Sequence, residues 1–337
     1  MVHELKDIIY TALFHQKKGL KNVLATVVHL DGSSYRKPGV RMLITEDLTS
    51  FGAVSGGCVE KEIIRRSISV FSDNTSKVIT YDGRYRLGCE GILYILIEPF
   101  FISDDFLQAF TLATSKRENI LIKSFFKKED EALGNFGSEV SFKNTATFTF
   151  SSIKKELSTE NIFTQNLQPA FQLIIIGGEH DAVKLCKAAT NIGWDVHVIT
   201  SAKDSKLLTD FPGATSVTGN TPETIDFSTI DKNTAVVIMN HSYVTDLKYV
   251  LKLYQYNLKY IGILGAPKRR ERLFNELLER LPDITDTFLD SIYTPAGLHI
   301  GAQTPEEIAL SIVAEILSVT RKKEPFSLRE LKGNING

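Results

Sequence analysis

The sequence is poor in cysteine, in net charge and in long apolar runs, and each absence excludes a class of protein. Its 337 residues include three cysteines, Cys58, Cys89 and Cys186, which are too few and too scattered for a disulfide framework or a closed zinc site. We therefore expect a reducing compartment. The formal net charge of −1 gives no basic field, so nucleic acid is not expected as a main partner.

No apolar run is long enough to cross a bilayer. The best candidate, ILYILIEPFF, is broken by Glu98 and Pro99, so no membrane partner is expected. The segment MVHELKDIIYTALF has helical period and early charges, and it lacks the apolar core of a signal peptide. These features predict a soluble cytoplasmic protein.

The predicted fold class is α/β, in two domains, because the chain is longer than one hydrophobic core usually organises. Residues 1–167 mix helices with short strands, which predicts an N-terminal α+β domain that ends in a polar linker. Within it, residues 117–165 alternate like half-exposed strands; we expect them to complete that domain's sheet, or else to form a separate hairpin module. Residues 168–320 alternate strand and helix, which predicts a Rossmann-like doubly wound parallel sheet, and residues 321–337 form a basic tail.

The last helix of the second domain carries a predicted capping box. Thr304 is expected as its N-cap, Pro305 at the first helical position and Glu307 three residues after the cap. The apolar face of this helix should cover the parallel sheet.

One cysteine has surroundings that suggest chemistry. Cys58 follows Gly56 and Gly57 and opens the segment VEKEIIRRSISVF, in which apolar residues recur at helical spacing. A helix N-terminus favours thiolate over thiol, and glycines let backbone N–H groups approach a bound anion. The alternative is that Cys58 is a small buried apolar residue beside a tight turn, since free cysteine is often buried.

The second domain carries an altered dinucleotide fingerprint. Gly177, Gly178, Glu179 and His180 follow a buried strand and open a helix, which is where a Rossmann fold binds pyrophosphate. Glu179 stands at the middle glycine of G-x-G-x-x-A, where a carboxylate opposes phosphate. The second strand also ends without the acidic residue that holds a ribose hydroxyl. NAD(P) is therefore a doubtful cofactor, and a Rossmann scaffold with an altered pocket is the alternative.

Further polar residues are expected at the carboxyl edge of this parallel sheet. Asn240 and His241 follow one strand, Arg269 lies in the helix after another, and His299 precedes the last helix. Doubly wound sheets bind ligands at this edge. Each histidine alone is more often structural, but their convergence favours a small-molecule or nucleotide site.

Together these segments resemble the XdhC/CoxI family, the xanthine dehydrogenase accessory factors. In the first domain the resemblance rests on GSSYRKPGVRML, FGAVSGGCVE and LGCEGILYILIEP. In the second it rests on IIIGGEHDA, VVIMNH, YIGILGAPKRR and TPAGLHIGAQTPEEIALSIVAEIL. It covers most of both domains in family order, while residues 117–165 carry little of it.

The resemblance implies a maturation chaperone rather than a catalyst. Such a protein binds molybdenum cofactor, a pyranopterin or its dinucleotide form, as cargo and helps to insert it into a xanthine-dehydrogenase-type molybdenum hydroxylase. The family also implies a homodimer and, as a further partner, a sulfur donor or a cofactor nucleotide transferase. One alternative is an NAD(P)-dependent oxidoreductase that uses the Rossmann domain. Another is a scaffold that brings such partners to the client without ligand chemistry of its own.

The site residues that the resemblance implies come from its matching motifs. The cofactor-binding set is Arg36, Ser55, Gly56, Gly57, Cys58, Glu60, Gly177, Gly178, His180 and His241. Cys58 is expected to handle the cofactor or its sulfur as thiolate, with contact to molybdenum. Cys89 either approaches Cys58 or packs under the strand that it precedes. Arg36, Lys37 or Arg41 is expected to pair with the cofactor phosphate. Departures from the family pattern, Glu179 among them, cluster in the second domain and put its nucleotide function in doubt.

Overall fold

The computed structural model describes residues 2–32, 37–55, 57–83, 91–143, 147–151 and 161–330, with the backbone alone at Cys58. These residues divide between Pro169 and Ala170 into two compact units, here called the N-terminal and C-terminal units. None of the helices in these ranges combines the length and apolar character needed to span a membrane.

The N-terminal unit combines three helices with two antiparallel sheets in its described part. The helices are α1 (Val2–Lys17), α2 (Cys58–Asp73) and α3 (Asp104–Ser115). The strands are β1 (Asn22–Asp31), β2 (Arg41–Thr45), β3 (Ser50–Gly52), β4 (Lys77–Asp82), β5 (Ile92–Pro99), β6 (Ile120–Phe126), β7 (Ala132–Leu133), β8 (Gly137–Ser141), β9 (Thr147–Thr149) and β10 (Asn161–Leu167). The first sheet has the order β3-β2-β1-β5-β4-β7, and the second has the order β10-β6-β8-β9.

Helix α2 packs on one face of the first sheet. Val23, Ala25 and Val27 alternate along β1, and Val59 and Ile63 lie four residues apart on α2. All five are at most 1% exposed. Burial of a valine or isoleucine side chain contributes roughly 1.5–3 kcal/mol, so this cluster fixes α2 against the sheet.

The second sheet corrects one expectation. Strands β6, β8, β9 and β10 pair with one another, and of the described strands in residues 117–165 only the two-residue β7 joins the first sheet, beside β4. The expectation that this segment completes the first sheet is therefore wrong for most of it. The physical reason is that the face of the first sheet away from α2 is also apolar. Val28 and Leu96 on that face are covered by Phe126 of the second sheet.

The sequence suggested that the polar segment before Pro169 is a linker, but part of this segment is a strand. Asn161–Leu167 forms β10 and pairs with β6 along its whole length. Side chains along β10 alternate between exposed and half-buried positions, with Ile162 56% exposed. β10 lies at the edge of the second sheet, and polar side chains are common on edge strands, where they oppose pairing with other chains.

The C-terminal unit is a doubly wound parallel sheet. Its helices are α4 (His180–Asn191), α5 (Tyr243–Leu253), α6 (Pro267–Arg280), α7 (Asp286–Asp290) and α8 (Pro305–Arg321). Its strands are β11 (Gln172–Ile176), β12 (Asp195–Ser201), β13 (Ser216–Asn220), β14 (Thr234–Ile238), β15 (Ile261–Ile263) and β16 (Ile292–Tyr293). The order β13-β12-β11-β14-β15-β16 is that of dinucleotide-binding folds, so the Rossmann-like prediction is confirmed.

Both faces of this sheet are covered by helices. Leu185 of α4 and Ile312 of α8 pack on one face, and Val250 of α5 and Leu277 of α6 pack on the other; all four are fully buried. The strand order reverses between β11 and β14, so the crevice at their carboxyl ends is the ligand position that this fold provides.

The capping box of α8 is confirmed. The Thr304 hydroxyl accepts the Glu307 N–H at 3.3 Å, and the Glu307 carboxylate accepts the Thr304 N–H at 3.0 Å. Pro305 is the first helical residue, so the helix begins where the sequence predicts.

Candidate functional site

Two chain connections of the N-terminal unit emerge at one end of the first sheet. Asp31, the last residue of β1, pairs with Ile92, the first residue of β5. Ile92 also pairs with Asp82, the last residue of β4. Antiparallel strands that pair at these positions place residues 32–40 and 83–91 at a shared end of the sheet.

A third connection leaves from this end. Strand β3 runs antiparallel to β2 and ends at Gly52, opposite Met42 near the start of β2. Residues 53–57 then lead into α2, whose first residue is Cys58. We call the end of the first sheet that carries all three connections the loop end.

The loop end gathers segments that are far apart in the sequence. It carries GSSYRKPGVR, SGGCVE and LGCEG, which hold the predicted residues of the first domain. Arg36, Gly56 and Cys89 lie outside the described residues, as does the side chain of Cys58. The described strands therefore bring the anchor points of the three connections to the same end of the sheet.

A carboxylate fixes the turn in front of Cys58. The N-cap of α2 is Gly57, at φ 120° and ψ −43°, a conformation that residues with a Cβ rarely adopt. The Glu60 side chain accepts the backbone N–H of Gly57 and that of Ser55, each at 2.6 Å. The Glu60 side chain thus links the first turn of α2 to the residues that precede it.

These contacts change the expected role of the glycine turn. The sequence suggested that the N–H groups of Gly56 and Gly57 approach an anion. That of Gly57 donates to Glu60 instead, as does the neighbouring N–H of Ser55, and Gly56 lies outside the described residues. A carboxylate at the third helical residue also offsets part of the positive end of the helix dipole.

We expect Glu60→Ala to lower the free energy of unfolding of the N-terminal unit by about 1 kcal/mol, because it removes the acceptor that caps α2. Urea unfolding followed by circular dichroism would measure this loss. Lys61→Ala, at an exposed neighbouring position, is the control and should change stability by less than about 0.5 kcal/mol. Equal stability of the two variants would show that Glu60 does not hold the turn.

Arg41 does not face a ligand, although the sequence offered it as a phosphate contact. It is 7% exposed, and its Nη1 donates to the Gly39 carbonyl at 2.9 Å and to Gln165 Oε1 at 2.7 Å. Burial lowers its pKa to about 10. Arg41 thus contacts both Gly39, in the connection before β2, and Gln165 of β10. Arg36 and Lys37 are the remaining predicted phosphate contacts.

The predicted residues of the C-terminal unit follow the carboxyl ends of two adjacent strands. Gly177 follows β11 and lies against the end of β14, since a Cβ there would come within 2.9 Å of the Met239 carbonyl oxygen. Glu179 is the N-cap of α4 and His180 its first residue, while His241 follows β14. Because β11 and β14 are neighbouring parallel strands, these residues share the crevice edge.

A lysine lies beside the altered fingerprint, and sequence reasoning missed it. Lys206, in the connection after β12, approaches within 3.5 Å of where a Cβ of Gly178 would be. Its pKa is raised, first by the hydrogen bond to Asp204 and also by the charge of Glu179. The ammonium group of Lys206 is itself paired with Asp204 at 2.7 Å, and Glu179 adds to the negative charge around it.

A buried carboxylate at the same edge was also missed. Asp246 is 1% exposed and accepts hydrogen bonds from Arg269 Nη2 at 2.5 Å and Asn240 Nδ2 at 3.1 Å. Burial raises its pKa to about 6, although Asn240 and Arg269 oppose that shift. A sequence signal existed: Asp246 lies three residues after Tyr243 and four before Val250, on the apolar face of α5.

The third cysteine has no features of a reactive thiol. Cys186 is buried in α4, and burial raises its pKa to about 11. Within the described ranges, no group of three or more His, Cys, Asp or Glu side chains is placed to hold a metal ion.

Comparisons with known proteins give consistent matches. A family model described as "XdhC and CoxI family" matches residues 15–82, and one described as "XdhC Rossmann domain" matches residues 173–316. A probable xanthine dehydrogenase subunit of Bacillus subtilis is 32% identical, over 89% of this chain and 93% of its own length. The "Molybdenum cofactor insertion chaperone PaoD" of Escherichia coli is 23% identical, over 96% and 91%. A crystal structure of a xanthine dehydrogenase from Bacillus halodurans superposes with a TM-score of 0.74 at 27% identity, covering 94% of this chain and 96% of that one.

Proposed function

This chain belongs to the XdhC and CoxI family, and on that premise we propose that it binds molybdenum cofactor and assists its insertion into a molybdenum hydroxylase of the xanthine dehydrogenase type. The observation that carries the proposal is the loop end. Three segments that are distant in sequence and contain the family motifs emerge together there. A single cargo can therefore contact all of them.

The residues at the loop end suit this cargo chemically. A pyranopterin carries a phosphate, for which Arg36 and Lys37 supply positive charge. Its molybdenum is bound by sulfur, and soft thiolates are suitable ligands for such a centre. We assign Cys58, and with it Cys89, to contact with the metal or to transfer of its sulfur.

The C-terminal unit takes a separate part in the proposal. Its predicted cofactor-binding residues, Gly177, Gly178, His180 and His241, lie at the crevice edge of the parallel sheet, where we propose that a nucleotide binds. The relatives do not favour the alternative of an NAD(P)-dependent oxidoreductase. A homodimer, a sulfur-donor partner and a cytoplasmic location remain predictions.

The test is coexpression with candidate hydroxylases, followed by molybdenum and pterin analysis of the purified chain and by assay of the client. We expect stoichiometric pterin on the chain and a client that is inactive without it. Fluorescence titration with NAD(H) and NADP(H) is the second arm. Tight nucleotide binding with turnover, and no pterin, would overturn the proposal in favour of the oxidoreductase.

A further inference from the structure

Polar side chains lie between the two sheets of the N-terminal unit, where apolar packing would be expected. Thr26 pairs with Arg41 across β1 and β2. Glu98 pairs with Leu24, which is two residues before Thr26 on β1. Residues opposite one another, or two apart on a strand, share a face, so Thr26, Arg41 and Glu98 point to the same side. These three and the second-sheet residues that they meet are called the polar seam.

Glu98 connects the two sheets within the polar seam. It is 1% exposed, and its carboxyl accepts the Ser138 N–H at 2.7 Å and the Ser138 hydroxyl at 2.6 Å. Ser138 lies on β8 of the second sheet, and its hydroxyl is 2.8 Å from that of Ser124 on β6. A cavity of about 20 Å³ borders Glu98 and Ser138, which is room for one water molecule.

The positive charge near Glu98 compensates only part of the negative charge of an ionised Glu98 carboxylate. Arg41 is the cation that acts on Glu98, and Arg41 itself is acted on by Glu98 and by Glu4 of α1. Its Nη1 is directed to Gly39 and Gln165, while its Nε and Nη2 have no hydrogen-bond partner among the described residues. Burial raises the pKa of Glu98 to about 7, since the Ser138 hydrogen bonds and Arg41 oppose the shift only in part.

We propose that Glu98 is a proton-operated latch between the two sheets: when it is protonated, its Oε1 hydroxyl donates to the Ser138 hydroxyl and its Oε2 accepts the Ser138 N–H, which holds β8 against β5, and its ionisation loosens the second sheet. An ionised carboxylate in the polar seam loses most of its hydration, whereas in an opened state water restores it and the pKa returns to its ordinary value. Ionisation therefore favours opening. The closed state is fully favoured below the ordinary pKa of a glutamate, and this advantage is lost as the pH rises to about 7.

Hydrogen bonds of Arg41, a residue of the polar seam, also reach the loop end. Gln165 on β10 of the second sheet accepts from Arg41, which also binds the Gly39 carbonyl at the stem of the 32–40 connection. Loosening of the second sheet would therefore free the stem that precedes β2. An effect on cargo rests on the proposed function, but the latch itself is tested without cargo.

Hydrogen exchange of the full chain, measured between pH 5 and pH 8 and corrected for intrinsic exchange, tests the latch. In wild type, the opening constant of amides in β8 (Gly137–Ser141) should rise by on the order of 100-fold across this range, because the closed and open states differ in pKa by more than two pH units. In Glu98→Gln, which cannot ionise, it should stay constant. Amides of β14 in the C-terminal unit are the internal control and should not follow the same profile.

Ser138→Ala is a second test, which applies even if Glu98→Gln does not fold. The Ser138 hydrogen bonds lower the pKa of Glu98, so loss of the hydroxyl should raise it and move the plateau of the opening constant to higher pH. A wild-type profile that is flat, or that is the same in Glu98→Gln, overturns the latch. So does a plateau that moves to lower pH in Ser138→Ala.

Discussion

Replacing Cys58 with alanine is expected to reduce activation of a client hydroxylase by 10- to 100-fold or more while leaving the fold intact. Loss of a residue that merely supports a metal ligand costs on the order of 10- to 100-fold, and a direct ligand or sulfur carrier should cost at least as much. The fold should survive because α2 is fixed by Val59, Ile63 and the Glu60 cap rather than by the first helical residue. The measurement is client activity after loading by purified wild-type or variant chain, with pterin content determined in parallel.

Cys186→Ala is the matched control for this experiment. It also removes one thiol, but from a buried position whose pKa of about 11 keeps it protonated. We expect a loss of about 1 kcal/mol in stability and full client activation. If Cys58→Ala loads the client as well as wild type does, Cys58 is a structural residue, and transfer must be assigned to other groups at the loop end.

Features that depend on local sequence were predictable. The start of α2 at Cys58 follows from two glycines before an apolar period, and the cap of α8 follows from the spacing of Thr304 and Glu307. The parallel sheet follows from the regular alternation of strand and helix. In each case neighbouring residues carry the information, because helix caps and crossover connections are determined within a few turns of chain.

Features that depend on distant partners were not predictable. Alternation identifies β6 as a strand, but nothing within it selects β10 and β8 as its neighbours rather than β4. Glu98 reads as the residue that breaks an apolar run, and only pairing with Ser138 gives it a role in the interior. From the sequence, Arg41 is interpreted as a cation in a loop. Its interior role depends on Gln165 of β10, which is more than a hundred residues away in the chain.

The candidate site likewise has features that the sequence predicts and features that only the structure shows. The sequence could identify the motifs, and the register of β1, β4 and β5 then places their connections at one end of the first sheet. The Glu60 contacts were hidden because a carboxylate three residues into a helix serves equally well as a cap or as a ligand contact. Only the geometry distinguishes these roles.

Arg269→Met should lower the free energy of unfolding of the C-terminal unit by about 3 kcal/mol at pH 8. The substitution keeps the apolar stem and removes the cation that Asp246 contacts, and removal of one partner from a buried ion pair leaves the other charge uncompensated. The side chain of Asp246 is 2% exposed, so solvent cannot replace the lost contact. The single tryptophan, Trp194, packs on Phe171 in this unit, so its fluorescence in a urea titration reports the unfolding of this unit.

The pH dependence separates loss of charge compensation from loss of packing. Arg269 lowers the pKa of Asp246, which burial has raised to about 6, so the variant should have a higher pKa and protonate Asp246 more readily. Protonation removes the uncompensated charge, and the stability difference from wild type should therefore shrink between pH 8 and pH 5. Arg280→Met, on the same helix with a side chain 57% exposed, should change stability by less than about 0.5 kcal/mol at either pH. A pH-independent loss in Arg269→Met would mean that Arg269 acts through packing on Tyr243 and that Asp246 does not depend on its charge.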